Sequence, residues 1–254
     1  MFCAVDIGNT NIVVAFHDGK KWAMHFRVYT DQKKTGDEYF VVLESLCNHY
    51  GVRNEDVDSA ALSSVVPSLT RSFEKNLYRL FEVRPLVVSR QVKTGLKNET
   101  IPPELGSDLI CNASGAHFHC PGKPVSVIDF GTALTITTVG ADGTVYGCAI
   151  APGLLTAMNS LFNNTAQLPQ VELKVPEHAI GRDSMESIRS GIMFGYAGLV
   201  DSLIGRTEQQ LDSHIHVIAT GGLSRTIAPI IPRIDELIPD HTLNGLKHIA
   251  DLNK

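Results

Sequence analysis

The first stretch able to do chemistry is Asp6-Ile7-Gly8-Asn9-Thr10-Asn11. It sets a carboxylate at the end of the apolar run Phe2 to Val5, a glycine that lets a ligand come close to the backbone, and small polar donors on the turn. That combination suits phosphate oxygens and a cation, and equally describes an Asn/Gly/Thr hairpin turn. A second copy, Asp129-Phe130-Gly131-Thr132-Ala133, follows the apolar run Val125 to Ile128. Two convergent strand-end carboxylates are far rarer by coincidence than one. A third glycine turn, Thr220-Gly221-Gly222, also follows an apolar stretch, where adenine and ribose could lie against bare backbone. Three such turns on one chain describe a nucleotide cleft.

The elements that must position these turns follow from the hydrophobic pattern. Phe2 to Gly8 reads as a strand and turn, Ile12 to Phe16 as a second strand ending at His17-Asp18-Gly19, and the region of Trp22 to Phe26 as a third. Apolar residues then recur at helical spacing from Tyr39 to Tyr50, closed by Gly51. The strand Ser59 to Val66, a helix from about Ser68 to Phe81, the strand Pro85 to Ser89 and a helix from about Ser107 to Phe118 come next. Such alternation indicates a mixed or parallel sheet with helices on its faces.

The breaker Pro121-Gly122-Lys123-Pro124 marks a boundary, giving domains 1–120 and 121–254. The second half restarts in the manner of the first: strand Val125 to Phe130, turn, strand Leu134 to Val139, turn, and a short strand through Tyr146. This is a weak internal repeat of one supersecondary unit. Further on the pattern predicts a helix around Gly153 to Leu161, a loop with Leu168-Pro169, and a long helix from Ser184 past Thr207. The strand Ile215 to Ala219, a last helix and a short C-terminal element complete it.

Composition narrows the function classes. The chain has 254 residues, 43% hydrophobic and 19% charged, with a formal net charge of −5. It has material for a sizeable core, and it lacks the basic footprint that nucleic-acid backbones require. Small anions remain open to it, because backbone N–H groups bind them without net positive charge. No apolar run approaches the roughly 18–20 residues of a membrane span, and the start carries no positively charged signal region, so a soluble, cytoplasmic protein is expected. The five cysteines, Cys3, Cys47, Cys111, Cys120 and Cys148, are scattered and never spaced Cys-x-x-Cys, which argues for reduced thiols. His117 and His119 with Cys111 and Cys120 match no zinc spacing, and helix-surface positions account for them better.

The ordered set Asp6-x-Gly8-Asn9-Thr10-Asn11, Gly106-x-Asp108, Asp129-Phe130-Gly131-Thr132-Ala133, Ala151-Pro152-Gly153, Leu168-Pro169, Ile180-Gly181-Arg182, Ser190-Gly191-Ile192, Gly195-Tyr196 and Thr220-Gly221-Gly222 resembles the type III pantothenate kinases over nearly the whole chain. The resemblance implies an α/β fold of two duplicated ribonuclease H-like domains, the actin-like ATPase fold, facing a nucleotide cleft. It also implies ATP-dependent phosphorylation of pantothenate to 4′-phosphopantothenate, the first step of coenzyme A biosynthesis.

Carried over position by position, it makes Asp6, Ile7, Gly8, Asn9, Thr10, Asn11, Ile12 and Val13 the first ATP phosphate-binding segment and Thr132 a further ATP contact. Asp129 becomes the ligand of a monovalent cation, K⁺ or NH₄⁺. Phosphoryl transfer also calls for Mg²⁺ to neutralise the phosphates, with Asp6 the candidate to orient it through water. Asp108 becomes the general base, since an attacking alcohol needs a carboxylate within reach of its proton. As pattern alone, Ser107-Asp108 ahead of an apolar helix is a helix-start signature, and both readings hold together. Substrate contacts fall to Gly106, Ser107, Asp108, Leu109 and Ser184. A homodimer is implied, with the helix from Ser184 as interface and Ile188, Ile192, Met193 and Leu199 as its apolar face; core packing explains the same pattern.

Three positions depart from the family. Gly-x-Asp is followed by Leu109 where the family has Arg, the Thr after Gly-Arg is Ser184, and a Tyr before Gly-x-Asp is missing, with Glu99 nearest. An apolar side chain cannot replace a guanidinium's donors, and a transition-state arginine can contribute roughly 10³–10⁵ in phosphoryl transfer. Arg182 and Lys97 are the candidates to compensate. Two alternatives stay open at this point: a nucleotide-binding regulatory or accessory homologue with lost activity, and the same machinery redirected to another hydroxylated small molecule. A filament-forming protein is a more distant option.

Overall fold

The computed structural model describes residues 1–164 and 171–254, so the Leu168-Pro169 motif lies outside the described residues. The chain forms two compact units, Met1–Phe118 with Thr242–Lys254, and His119–His241.

In unit 1, β1 (Phe2–Ile7), β2 (Asn11–His17) and β3 (Trp22–Tyr29) form an antiparallel meander. After α1 (Gly36–His49), β4 (Ser59–Ser64) pairs parallel to β1; after α2 (Pro67–Phe81), β5 (Leu86–Val87) pairs parallel to β4. The order is β3-β2-β1-β4-β5. α3 (Ser107–His119) closes the first half.

Alternation along β1 divides its side chains between two faces. Cys3, Val5 and Ile7 join Tyr39 and Leu43 of α1 and Phe73 and Leu77 of α2 in one core. Asp6, one register away, faces the other side. α1 begins where it does because Thr35 and Glu38 form a reciprocal capping box, which satisfies two backbone donors that would otherwise be orphaned.

Unit 2 repeats the plan. β6 (Val125–Phe130), β7 (Ala133–Val139) and β8 (Val145–Pro152) are antiparallel; then come α4 (Leu154–Asn164), α5 (Ser184–Leu211), β9 (His216–Thr220), α6 (Ser224–Ile227) and β10 (Glu236–Leu237). β9 runs parallel to β6 and β10 parallel to β9, giving the order β10-β9-β6-β7-β8, the first sheet's order read from its other edge. β1 and β6 also share one burial pattern, with an aspartate as the single half-exposed residue of each. Each unit is thus a ribonuclease H-like α/β domain, and the pair constitutes the duplicated actin-like ATPase fold.

Several boundaries differ from the sequence reading. β8 is a full eight-residue strand rather than a short one, and β5 shrinks to two residues. The assignment of all of 121–254 to the second domain is corrected, because α7 (His241–Leu252) packs with unit 1 from Thr242 onward. Trp22 Nε1 donates to Asn244 Oδ1 at 2.8 Å, Asn253 Nδ2 donates to the Lys93 carbonyl at 2.8 Å, and Gly245 lies so close to the Cys111 carbonyl that any side chain there would overlap it. All of these contacts are long-range in sequence. Among the described residues, no helix is long and apolar enough to cross a membrane.

Candidate active site

In unit 1 the first glycine turn is a tight β1–β2 connection. The Gly8 N–H donates to the Asn11 carbonyl at 3.0 Å, and a Cβ on Gly8 would stand 3.1 Å from that oxygen. Buried Thr30 braces the turn, with Oγ1 donating to the Gly8 carbonyl at 2.8 Å and its N–H to the Thr10 carbonyl at 2.9 Å. Ile7 and Ile12 are wholly in the core, so they can offer a ligand only backbone, whereas Asn9 and Asn11 are exposed. Thr30, reached from β3, carries no motif of its own and escaped the sequence reading.

Asp108 sits in the first turn of α3, whose start is fixed from β4. Ser107 Oγ accepts from the Ser64 N–H at 2.7 Å and lies 3.1 Å from Ser63 Oγ. Gly106 is required there: a side chain would strike the Asp108 carboxylate and come within 3.2 Å of Val65 Cγ1. The Leu109 N–H donates to Asp108 Oδ1 at 2.8 Å. Burial nevertheless dominates and raises the Asp108 pKa, with the backbone N–H groups of Leu109 and of Asp108 itself opposing it. A half-buried carboxylate with a raised pKa is a better proton acceptor than a solvated one.

One turn further along α3, the Cys111 thiol is pushed well up by burial, then by the Asp6 and Asp108 carboxylates, against a hydrogen bond from Ser63. A single side chain therefore feels both acids, which brings Asp6 and Asp108 to one locality of unit 1. Cys111 marks this junction, and only its helical spacing from Asp108 hinted at it.

Leu109, the departure from the family, is 6% exposed and belongs to the interior. The cationic group nearby comes from elsewhere. A cavity of about 530 Å³ opens beside the α3 N-terminus, lined by Ser64, Val65, Gly106 and Ser107 together with Ser89, Arg90 and Glu104. Among the described residues lining it, Arg90 carries the positive charge. Arg90 lies three residues past the end of β5, on the segment that leaves the strand, a placement that escaped the sequence reading. Lys97 and Glu99 lie on an exposed turn and do not line this cavity.

In unit 2 the motifs prove to be mutual packing contacts around the second turn. The Thr132 carbonyl accepts from the Gly153 N–H at 3.1 Å and from Thr156 Oγ1 at 2.7 Å. A Cβ on Gly153 would overlap the Gly131 and Thr132 carbonyls, which explains glycine after Ala151-Pro152. Tyr196 reaches from α5 to donate to the Pro152 carbonyl at 2.6 Å. Gly221 has φ +92° and approaches so closely that a side chain would collide with Asp129 Oδ1 and the Phe130 backbone. Asp129 itself sits opposite Thr135 and Thr220 in the ladder. The backbone thus closes around the Asp129 carboxylate from Gly131 and Gly221, a cradle that suits a cation held by oxygen donors.

Ser184 is exposed at the start of α5, which Asp183 caps by accepting from the Glu186 N–H at 2.8 Å. Gly181, Arg182, Asp183 and Ser184 line a cavity of about 740 Å³ in unit 2. Arg182 and Ser184 thus belong to unit 2, whereas Asp108 and Arg90 belong to unit 1. The expected apolar interface of α5 is corrected: Ile188, Ile192 and Met193 are buried in the unit's own core and Leu199 packs against it. The helix instead exposes Met185, Ser187, Gly191 and Gly195.

Comparison with known proteins agrees with this geometry. A solved Baf-family protein from Campylobacter jejuni superposes with a TM-score of 0.63 at 16% identity, covering 99% of this chain and 98% of that one. Component A of the (R)-2-hydroxyglutaryl-CoA dehydratase of Acidaminococcus fermentans gives 0.55 at 14%, covering 98% and 95%. These likenesses establish the fold. A type III pantothenate kinase of Roseiflexus sp. (strain RS-1) is 40% identical over 255 residues, covering 100% of both chains. One of Geobacillus sp. (strain WCH70) is 37% identical over 254 residues, covering 100% of this chain and 98% of the other. The family model for type III pantothenate kinase matches residues 2–206. With the Asp6 and Asp129 turns, the Asp108 helix start and the interlocking glycine motifs all in place, the chain belongs to the type III pantothenate kinase family.

Proposed function

We propose that this kinase transfers the γ-phosphoryl group of ATP to the primary hydroxyl of pantothenate, with Asp108 as the base that accepts the hydroxyl proton. The oxygen attacks the γ-phosphorus, the bond to the β-phosphate oxygen breaks, and 4′-phosphopantothenate and ADP leave. The observation that carries the reading is the half-buried Asp108 carboxylate, of raised pKa, at a helix start pinned to β4 beside an open cavity.

The other roles follow from placement. The Gly8–Asn11 turn offers backbone N–H and small polar side chains to the phosphates. Asp6, near Asp108, is suited to orient a hydrated Mg²⁺, and Thr132 contributes a further nucleotide contact. A bound divalent cation neutralises the phosphate charge that develops during transfer. The Asp129 carboxylate, closed in by Gly131 and Gly221, is suited to K⁺ or NH₄⁺. Gly106, Ser107 and Asp108 would meet the acceptor, and Arg90 takes over the cationic role that Leu109 cannot fill. Leu109 supplies packing and the N–H that holds Asp108.

Ser184 would act across a homodimer. Exposed apolar side chains of unit 2, including Ile150 on β8, Leu155 and Phe162 on α4, and Met185 on α5, offer surface for such an association. The test is ADP release with Mg-ATP and pantothenate, with and without K⁺. Pantothenate-dependent turnover that rises with K⁺ supports the reading; ATP binding without pantothenate-dependent turnover overturns it.

A further inference from the structure

The structure gathers metal-type donors that belong to none of the motifs. His119 ends α3, Cys120 follows it, and Glu236 opens β10, the edge strand of the second sheet. One donor atom from each, an imidazole nitrogen, the Cys120 sulfur and a carboxylate oxygen, all lie within 4.8 Å of one another. Glu236 Oε2 is 2.9 Å from His119 Nε2, and Oε1 is 2.8 Å from His216 Nε2 at the start of β9. His216 Nδ1 in turn stands 3.5 Å from Asp235 Oδ2. Cys120 is 8% exposed, so its sulfur is sheltered from solvent while facing the carboxylate.

We propose that His119, Cys120 and Glu236 bind a divalent transition-metal ion of the Zn²⁺ class, with His216 as the outer partner that orients Glu236. Imidazole, thiolate and carboxylate together select such an ion over Mg²⁺ or Ca²⁺, which require oxygen donors throughout. Metal–ligand bonds of about 2.0–2.3 Å in a tetrahedron set the donor atoms about 3.3–3.8 Å apart, so the His119–Glu236 pair at 2.9 Å opens slightly and the Cys120 sulfur closes in from within 4.8 Å. The exposed His119 ring and the short edge strand allow that movement. Three protein ligands leave a fourth position for water.

The proton balance is explicit. The Cys120 thiol releases one proton to solvent and becomes thiolate, and His119 binds as neutral imidazole through Nε2. Glu236 keeps one oxygen on His216 Nε2–H and gives the other to the metal. Two ligand charges then neutralise the dication locally. Uptake accordingly weakens as pH falls, because the thiol must ionise.

The probe is Co²⁺ added to the full-length, nucleotide-free protein, followed by Zn²⁺. The expected result is one Co²⁺ per chain, with a near-ultraviolet thiolate-to-metal charge-transfer band and the strong visible bands of four-coordination, both abolished by Zn²⁺. The C120S variant loses the charge-transfer band and C148S retains it. The H216A variant keeps the band but binds about 10–100-fold more weakly, as expected for loss of an outer-shell partner. E236Q, a change at a half-exposed position, guards against a folding defect in C120S: circular dichroism unchanged with Co²⁺ affinity lost supports the site. A Co²⁺ spectrum without the charge-transfer band, or one unaltered by both C120S and E236Q, overturns it and leaves Glu236 as a carboxylate bridging two imidazoles.

Discussion

Replacing Asp108 by Asn separates catalysis from stability, because the two effects have opposite sign. Asn keeps an acceptor oxygen for the Leu109 N–H that now donates at 2.8 Å, and it preserves the shape at the start of α3. It cannot take a proton. Loss of a positioned general base costs about 10²–10⁴ in rate, or about 3–5 kcal/mol of transition-state stabilisation. Stability runs the other way. Burial raises the Asp108 pKa, so folding favours the neutral carboxyl: that contribution is complete below the unfolded value near 3.9 and is lost as pH rises through the folded value. At neutral pH the wild type has already lost it, and Asn, always neutral, has no such loss. D108N should therefore match or exceed the wild type in urea midpoint at pH 7, and lose any advantage near pH 4. The wild-type kcat/KM should fall on acidification with a midpoint above the ordinary aspartate value, since the base works only when ionised. Coupled ADP assays and urea melts across pH provide the check. A D108N protein with undiminished turnover refutes the base, and one whose stability relative to the wild type is lower at pH 7 than at pH 4 refutes the burial argument.

Arg90→Gln should raise KM for pantothenate about tenfold or more, the size of a lost charge-assisted hydrogen bond of about 1.5–3 kcal/mol, with KM for ATP unchanged. Steady-state kinetics in each substrate decide it, and an equal effect on both would refute the proposal that Arg90 meets the acceptor. Gly221→Ala combines a backbone at φ +92° with a collision against Asp129 Oδ1 and should cost about 1–3 kcal/mol. A fall of about 2–4 °C in Tm per kcal/mol follows for a chain of this size class. Calorimetry showing no change would mean that the turn relaxes freely.

What this sequence determined by itself was local. Apolar runs ending in Asp-x-Gly specify strands that stop at a tight turn, because alternation and glycine's freedom act within a few residues. The duplication of β1–β2 in β6–β7 and the start of α3 at Ser107 were legible for that reason. The candidate carboxylates Asp6, Asp108 and Asp129 were legible too, each lying at the end of an element that the pattern defines. The tertiary structure decided what depends on packing between distant segments. The faces of α5 could not be told apart, since Ile188 and Ile192 suit a core and an interface equally, and only the neighbours in unit 2 settle the matter. α7 joins unit 1 through Trp22, Lys93 and Cys111, contacts with no local signature. Arg90 reaches the cavity beside Ser107 because β5 ends there, and His119 and Cys120 meet Glu236 because parallel pairing carries β10 to the sheet edge. In each case a residue acquires its chemistry from a partner tens of residues or more away, and loop closure over that span is governed by the whole core rather than by local propensity.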